Sequence, residues 1–143
     1  MQPLTCKSFA KLNLCLHILD KRKDGYHNLE SIFCIIDFYD MLSFQKNNST
    51  KVNFKTNSNE IDFSHNLVTK AYDVLSNLYD IEGVDIFLDK KIPIGSGLGG
   101  GSSNAAVTLL ALNNIFNLNI SKDKLMKISE DIGADAPFFI NGG

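Results

Sequence analysis

Nine residues from Gly95 to Ser103 read GSGLGGGSS and hold half of the ten glycines in the chain. No other feature limits the fold so much. Glycine loses the most conformational entropy on folding, so a cluster of it is costly unless the backbone needs positive φ or close approach to something. The flanks say what that something is. Upstream, VDIFLDKKIPI alternates like a strand and then carries two lysines. Downstream, Ser102, Ser103 and Asn104 are N-cap types, and AAVTLLALNNIF behind them reads as a helix. Strand, glycine loop and helix N-terminus together offer unpaired backbone N–H groups and a positive dipole end to an anion. The expectation is a nucleotide-phosphate site. A flexible glycine linker is the bland alternative, but linkers rarely sit between a strand and a capped helix.

The kind of cradle is left open by the glycines alone. Gly95, Gly97 and Gly100 satisfy G-x-G-x-x-G, a fingerprint of dinucleotide sites that is weak by itself. That reading needs an acidic residue ending a second strand about 20 residues on. Asp123 is the candidate, and SKDKLMKISEDI around it looks like the start of a helix. The ATP-binding P-loop pattern fails as well, because no lysine follows the last glycine.

Other function classes drop out on composition. The 143 residues suffice for one domain with its own core. A net charge of -2 gives no reason to expect nucleic acid on a basic face. No apolar run approaches the roughly 18 residues of a membrane span. The N-terminus MQPLTCKSFAKLN lacks a signal-peptide core and transit-peptide character, which points to the cytoplasm. Cys6, Cys15 and Cys34 are odd in number and lack metal-ligand spacing, so they read as free thiols.

Strands cluster in the first half and helices follow, which predicts an α+β fold rather than a doubly wound sheet. Ala10, Leu12, Leu14, Leu16 and Ile18 alternate as the inward face of a strand, with Lys11, Asn13, Cys15 and His17 on the other face. SIFCIIDF reads as a buried strand. MLSFQK and KVNFKT flank the polar patch QKNNST like a hairpin. Helices are expected over Asn66 to Tyr79 and Asp123 to Ile132, with the strand VDIFLD between the first of them and the glycine loop.

Few residues outside the loop invite chemistry. Lys11 shares a strand face with Asn13, a pair that would mean nothing on an open surface. Asp135 stands among small and apolar residues in GADAPFF, and its bland reading is a turn cap beside Pro137. Tyr26 and His27 follow the Asp24-Gly25 turn signal; they would pack in a turn, or stack on and hydrogen-bond a flat ligand such as a base. Glu30, Asp37 and Asp40 form no recognisable pair. A phosphate cradle, a lysine and a lone aspartate make up the parts of phosphoryl transfer to a hydroxyl. Rival readings are a non-catalytic nucleotide-binding module and a dinucleotide-dependent oxidoreductase, the latter lacking its acidic partner.

AKLNLCLHILDKRKDGYHNLESIF, IPIGSGLGGGSSNAAVTLLALN and GADAPFF, in this order, resemble the 4-diphosphocytidyl-2-C-methyl-D-erythritol kinases of the GHMP kinase superfamily. The resemblance runs from about Ser8 to the last residue. The glycine loop is shared across the superfamily, and the other two segments point to the diphosphocytidyl branch. It implies an α+β N-terminal domain of the ribosomal-protein domain-2-like kind, with a mostly antiparallel sheet packed by helices. It implies ATP-dependent phosphorylation of the 2-hydroxyl of the methylerythritol unit, in the non-mevalonate route to isoprenoid precursors. Another GHMP small-molecule kinase is the rival within the class.

By position, Asp135 would be the catalytic base and Lys11 its partner, with Asn13 lining the same site. Tyr26 would stack on the cytosine and His27 would bond its edge. Pro93, Ile94, Gly95, Ser96, Gly97, Leu98, Gly99, Gly100, Gly101, Ser102 and Ser103 would wrap the ATP phosphates. Ser102 or Ser103 would reach a magnesium ion, whose ligands the sequence leaves unassigned. The partners are then ATP and a cytidine diphosphate alcohol, with no nucleic acid and no membrane. Family members are about twice this long and carry a second, C-terminal domain. Residues 1–143 would be the ATP-binding domain alone, with weak ATP binding, little turnover and apolar surface bare near Phe138 and Phe139.

Overall fold

Two long runs of alternating residues near the N-terminus pair with each other. They form β1 (Leu4–Lys21) and β2 (His27–Lys46), antiparallel from Leu4 opposite Phe44 to Lys21 opposite His27. The computed structural model describes residues 2–21 and 27–142, and for residues 16–30 it describes no side chain. SIFCIIDF and MLSFQK are thus parts of a single strand, not separate elements. The expected inward face of β1 holds only as far as Ala10. Between the pairs Phe9–Tyr39 and Ala10–Ile36 the register shifts, because β2 carries extra residues there. Such a bulge re-aims the side chains beyond it. Ala10 and its neighbour Lys11 are both buried, while Leu12 and Leu14 are 41% and 63% exposed. The face bearing Lys11 turns inward, against the simple alternation.

The expected hairpin does not form. The chain leaves β2 and enters the short β3 (Asn53–Thr56), then α1 (Leu67–Leu78) and β4 (Val84–Asp89). β4 lies between β2 and β3, so the order is β1-β2-β4-β3, and β3 pairs with β4 in parallel. A parallel pair needs a crossover, and α1 supplies it. The polar loop after β2 is tied to the chain just before β4 instead of to β3: Asn47 N donates to Gly83 O at 3.0 Å and Gly83 N to Ser49 O at 2.7 Å. Two of the three strand pairings are antiparallel, so the α+β reading with a mostly antiparallel sheet is borne out.

The alternation in VDIFLD does survive. Val84, Ile86 and Leu88 are buried and the residues between them are not. They join Leu42, Phe44 and Phe54 on the face covered by helices. α1 begins where Asn66 accepts the N–H of Thr69 at 2.9 Å, a side-chain N-cap, and buries Val68, Ala71 and Leu75. α2 (Gly100–Ile115) follows the glycine loop, α3 (Lys122–Glu130) is capped by Ser121, and α4 (Ala136–Asn141) ends the described chain. α2 is buried nearly all round through Ala105, Ala106, Leu109 and Leu112, because its small residues let neighbours approach closely. No helix among the described residues is long and apolar enough to cross a membrane.

Candidate active site

α2 starts earlier than its serines suggest. Its N-cap is Gly99, at φ 72°, and the first turn is Gly100, Gly101 and Ser102. Ser102, Ser103 and Asn104 lie inside the helix and do not cap it. A backbone that enters the helix through the left-handed region needs glycine there. Gly99 also lacks room: a Cβ on it would stand 3.0 Å from Lys11 Cγ and 3.1 Å from the Phe139 ring. The first N–H groups of a helix have no partner within it, and they carry its positive dipole end. They open on a cleft of about 380 Å³. Its lining includes Pro93, Ile94, Gly95, Ser96, Gly97, Gly99, Gly100, Gly101 and Ser102, together with Glu60, Ile61, His65, Asn66 and Leu67. Leu98 and Ser103, both expected in the cradle, are not in its lining. Leu98 O accepts the backbone N–H of Lys11 at 2.9 Å, and the buried Ser103 hydroxyl accepts from Ser8 Oγ at 2.8 Å.

Lys11 and Asp135, from opposite ends of the chain, meet behind the Gly99 end of that loop. Lys11 Nζ is 3.5 Å from Asp135 Oδ2, with the side chains 8% and 29% exposed. Asp135 occupies the N-cap position of α4, yet its side chain makes no capping hydrogen bond. The turn-cap reading therefore fails, and the carboxylate is given to the lysine. The ammonium also lies 4.4 Å from the ring centroid of Phe33, a cation–π contact. Phe33, Phe138 and Phe139 stack edge to face in sequence, with centroids 5.2 Å apart at each step. Phe138 and Phe139 are thus half-buried and not the bare surface expected there, while Leu12, Leu14 and Ile32 on β1 and β2 are exposed.

The residue that sequence reasoning missed is Asp40. The sequence shows it no partner, but it is fully buried and accepts four hydrogen bonds. Oδ1 takes the N–H groups of Lys91 at 2.6 Å and Ile92 at 2.8 Å. Oδ2 takes Lys90 Nζ at 2.7 Å and Asn104 Nδ2 at 2.9 Å. Asn104 donates also to Ser8 Oγ at 2.9 Å. Only the lysine pair before the loop was visible beforehand, and nothing in the sequence connects it to a strand fifty residues earlier.

Asn13 is exposed on β1, directly opposite Phe33 in register. Tyr26 lies outside the described residues, and so does the side chain of His27, whose backbone pairs with Lys21. Among the described residues no three His, Cys, Asp or Glu side chains gather as a metal site. Cys6, Cys15 and Cys34 are free thiols, and burial pushes the Cys6 thiol above its ordinary pKa.

Comparison with known proteins adds family to geometry. The family described as GHMP kinases N terminal domain matches residues 66–143. A 4-diphosphocytidyl-2-C-methyl-D-erythritol kinase of Francisella philomiragia is 46% identical over 138 residues, 95% of this chain and 50% of the relative. One from Prochlorococcus marinus is 45% identical over 139 residues, 96% of this chain and 45% of the relative. A crystal structure of 4-(cytidine 5'-diphospho)-2C-methyl-D-erythritol kinase superposes with a TM-score of 0.84 at 34% identity, covering 97% of this chain and 49% of that one. The chain spans about half the length of the curated relatives it matches.

Proposed function

The chain belongs to the family of GHMP kinase N-terminal domains, and from that membership we propose that it carries the nucleotide-binding and proton-accepting side of an ATP-dependent kinase. The acceptor is the 2-hydroxyl of 4-diphosphocytidyl-2-C-methyl-D-erythritol, in the non-mevalonate route to isoprenoid precursors. One observation carries the reading: a carboxylate free of capping duties, 3.5 Å from a buried ammonium, directly behind a glycine loop that ends in a helix N-terminus. The substrate is chosen on likeness to kinases of that name at about 45% identity.

In the proposed reaction the first turn of α2 and the loop hold the triphosphate by backbone N–H groups. Asp135 accepts the proton of the acceptor hydroxyl as its oxygen bonds to the γ-phosphorus and the bond to ADP breaks. Lys11 offsets the negative charge that collects at the reacting oxygens. Magnesium would be held mainly by nucleotide phosphates and water, with Ser102, which lines the cleft, as the residue that would offer it a hydroxyl. When bound it neutralises phosphate charge. Tyr26 and His27 remain the proposed holders of the cytosine, and ATP supply agrees with a cytoplasmic location.

The test is ATP consumption by the protein at its full coded length, offered the cytidine diphosphate alcohol, mevalonate and homoserine. Turnover is expected with the first alone. Asp135→Asn should lower kcat about 100-fold or more while leaving the KM for ATP nearly unchanged. Wild-type turnover by that variant refutes the base assignment and favours a nucleotide-binding module without catalysis.

A further inference from the structure

The buried network around Asp40 has a role at the cleft, because of where Lys90 ends. Lys90 lines the cleft, and its ammonium lies 3.0 Å from where a Cβ on Gly100 would stand. Gly100 is the first residue of α2, at the positive end of a 16-residue helix. A cation there is unfavourable in an empty site, since a helix N-terminus repels positive charge. It is also largely withdrawn from water, with 8% of its side chain exposed. Such a charge persists only when a partner compensates it. Asp40 is that partner, at 2.7 Å.

Asp40 holds more than the lysine. Its other oxygen fixes the N–H groups of Lys91 and Ile92, which begin the glycine loop. Through Asn104 it also fixes the first turns of α2, where the loop ends. Both ends of the loop are therefore pinned to one carboxylate on β2. Between those ends Ser96 Oγ donates to Pro93 O at 2.7 Å, and nothing lies within 4 Å of a Cβ on Gly95 or Gly97, so the loop has open space beside it.

We infer that Asp40 is a positioning residue, which holds the Lys90 ammonium and both ends of the glycine loop in place, so that Lys90 supplies a fixed positive charge to the phosphate chain of a bound nucleotide. This rests on the cleft being a nucleotide site. An ion held this way is aligned before the ligand arrives, so less ordering is required on binding. A lysine suits the role as a compact charge on a flexible stem that can share its donors between the carboxylate and an incoming phosphate.

The test separates the phosphates from the nucleoside. Wild type, Lys90→Met and the double variant Asp40→Asn with Lys90→Met are titrated with ATP and with adenosine by calorimetry, at full coded length and well below each melting temperature. Lys90→Met removes the charge and keeps most of the bulk, and Asp40 retains three donors, so this variant should fold. It should bind ATP about tenfold more weakly and adenosine as wild type does. The double variant leaves no carboxylate buried without its ammonium and should lose still more ATP affinity, again with adenosine unchanged. If Lys90→Met binds ATP as tightly as wild type, or loses ATP and adenosine equally, the pair is only structural and the inference falls while the nucleotide site stands. If wild type binds neither ligand, the nucleotide reading itself falls and this inference with it.

Discussion

Gly99 is the position where one added methyl group would report on the whole arrangement. Gly99→Ala meets two separable penalties. The first is backbone strain. At φ 72° an L-residue costs about 1–2 kcal/mol relative to glycine. The second is crowding, because the new Cβ would stand 3.0 Å from Lys11 Cγ and 3.1 Å from two atoms of the Phe139 ring. Both neighbours are constrained, Lys11 by its bond to Leu98 O and its ion pair, Phe139 by its stacking on Phe138. Overfilling of this kind costs about 1–3 kcal/mol. The sum is about 2–5 kcal/mol. Gly97→Ala is the control. Its φ of 76° imposes the same strain, but nothing lies within 4 Å of the added carbon, so it should cost only the first term.

Urea denaturation of wild type and both variants measures the difference, which should be about 1–3 kcal/mol in favour of Gly97→Ala. Kinetics adds an independent reading. Lys11 must give way by a few tenths of an ångström in Gly99→Ala, and small misplacements of reacting groups cost large factors in rate. The kcat of Gly99→Ala should therefore fall about tenfold or more at temperatures where the variant is folded. Equal stabilities for the two variants, within about 0.5 kcal/mol, would refute the claim that Lys11 and Phe139 press against Gly99.

Other outcomes follow from single features. His27→Ala should weaken binding of a cytidine-bearing substrate and leave ATP affinity nearly unchanged; equal losses for both would remove the residue from cytosine recognition. A thiol reagent at pH 8, followed by mass spectrometry, should label the exposed Cys34 well before Cys6. Burial holds the Cys6 thiol protonated to higher pH, and only the thiolate reacts, so Cys6 labelling should accelerate as the pH rises above 8. Equal rates for the two at pH 8 would contradict the burial of Cys6.

What the sequence made legible was local. The six residues of β4 alternate in the chain and in the fold, and Asn66 caps α1 through a bond three residues long. The glycine loop could be placed because strand, loop and helix follow one another directly. What stayed hidden depends on residues far apart. Nothing in KVNFKT shows that β4, thirty residues later, will come between it and β2. Nothing in AKLNL shows that extra residues in β2 will bulge and turn Lys11 inward. The start of α2 departs from its sequence signal for a different reason. Serine and asparagine cap helices by propensity, but here the chain enters α2 through a left-handed glycine, and Ser103 and Asn104 bond to the strands instead.

The candidate site contains two lysine–aspartate pairs, and their surroundings differ as the proposed roles of anchor and base require. Asp40 is fully buried and its two oxygens accept four hydrogen bonds, which is about all that a carboxylate can take. Enclosed on all sides and with its acceptor positions occupied, it holds what surrounds it. Asp135 has the opposite character. It is 29% exposed, and its side chain has no hydrogen bond among the described residues beyond its 3.5 Å approach to Lys11. Its lone pairs are available to an incoming hydroxyl. The sequence offered both aspartates as isolated carboxylates, and only the count of donors around each one separates the proposed anchor from the proposed base.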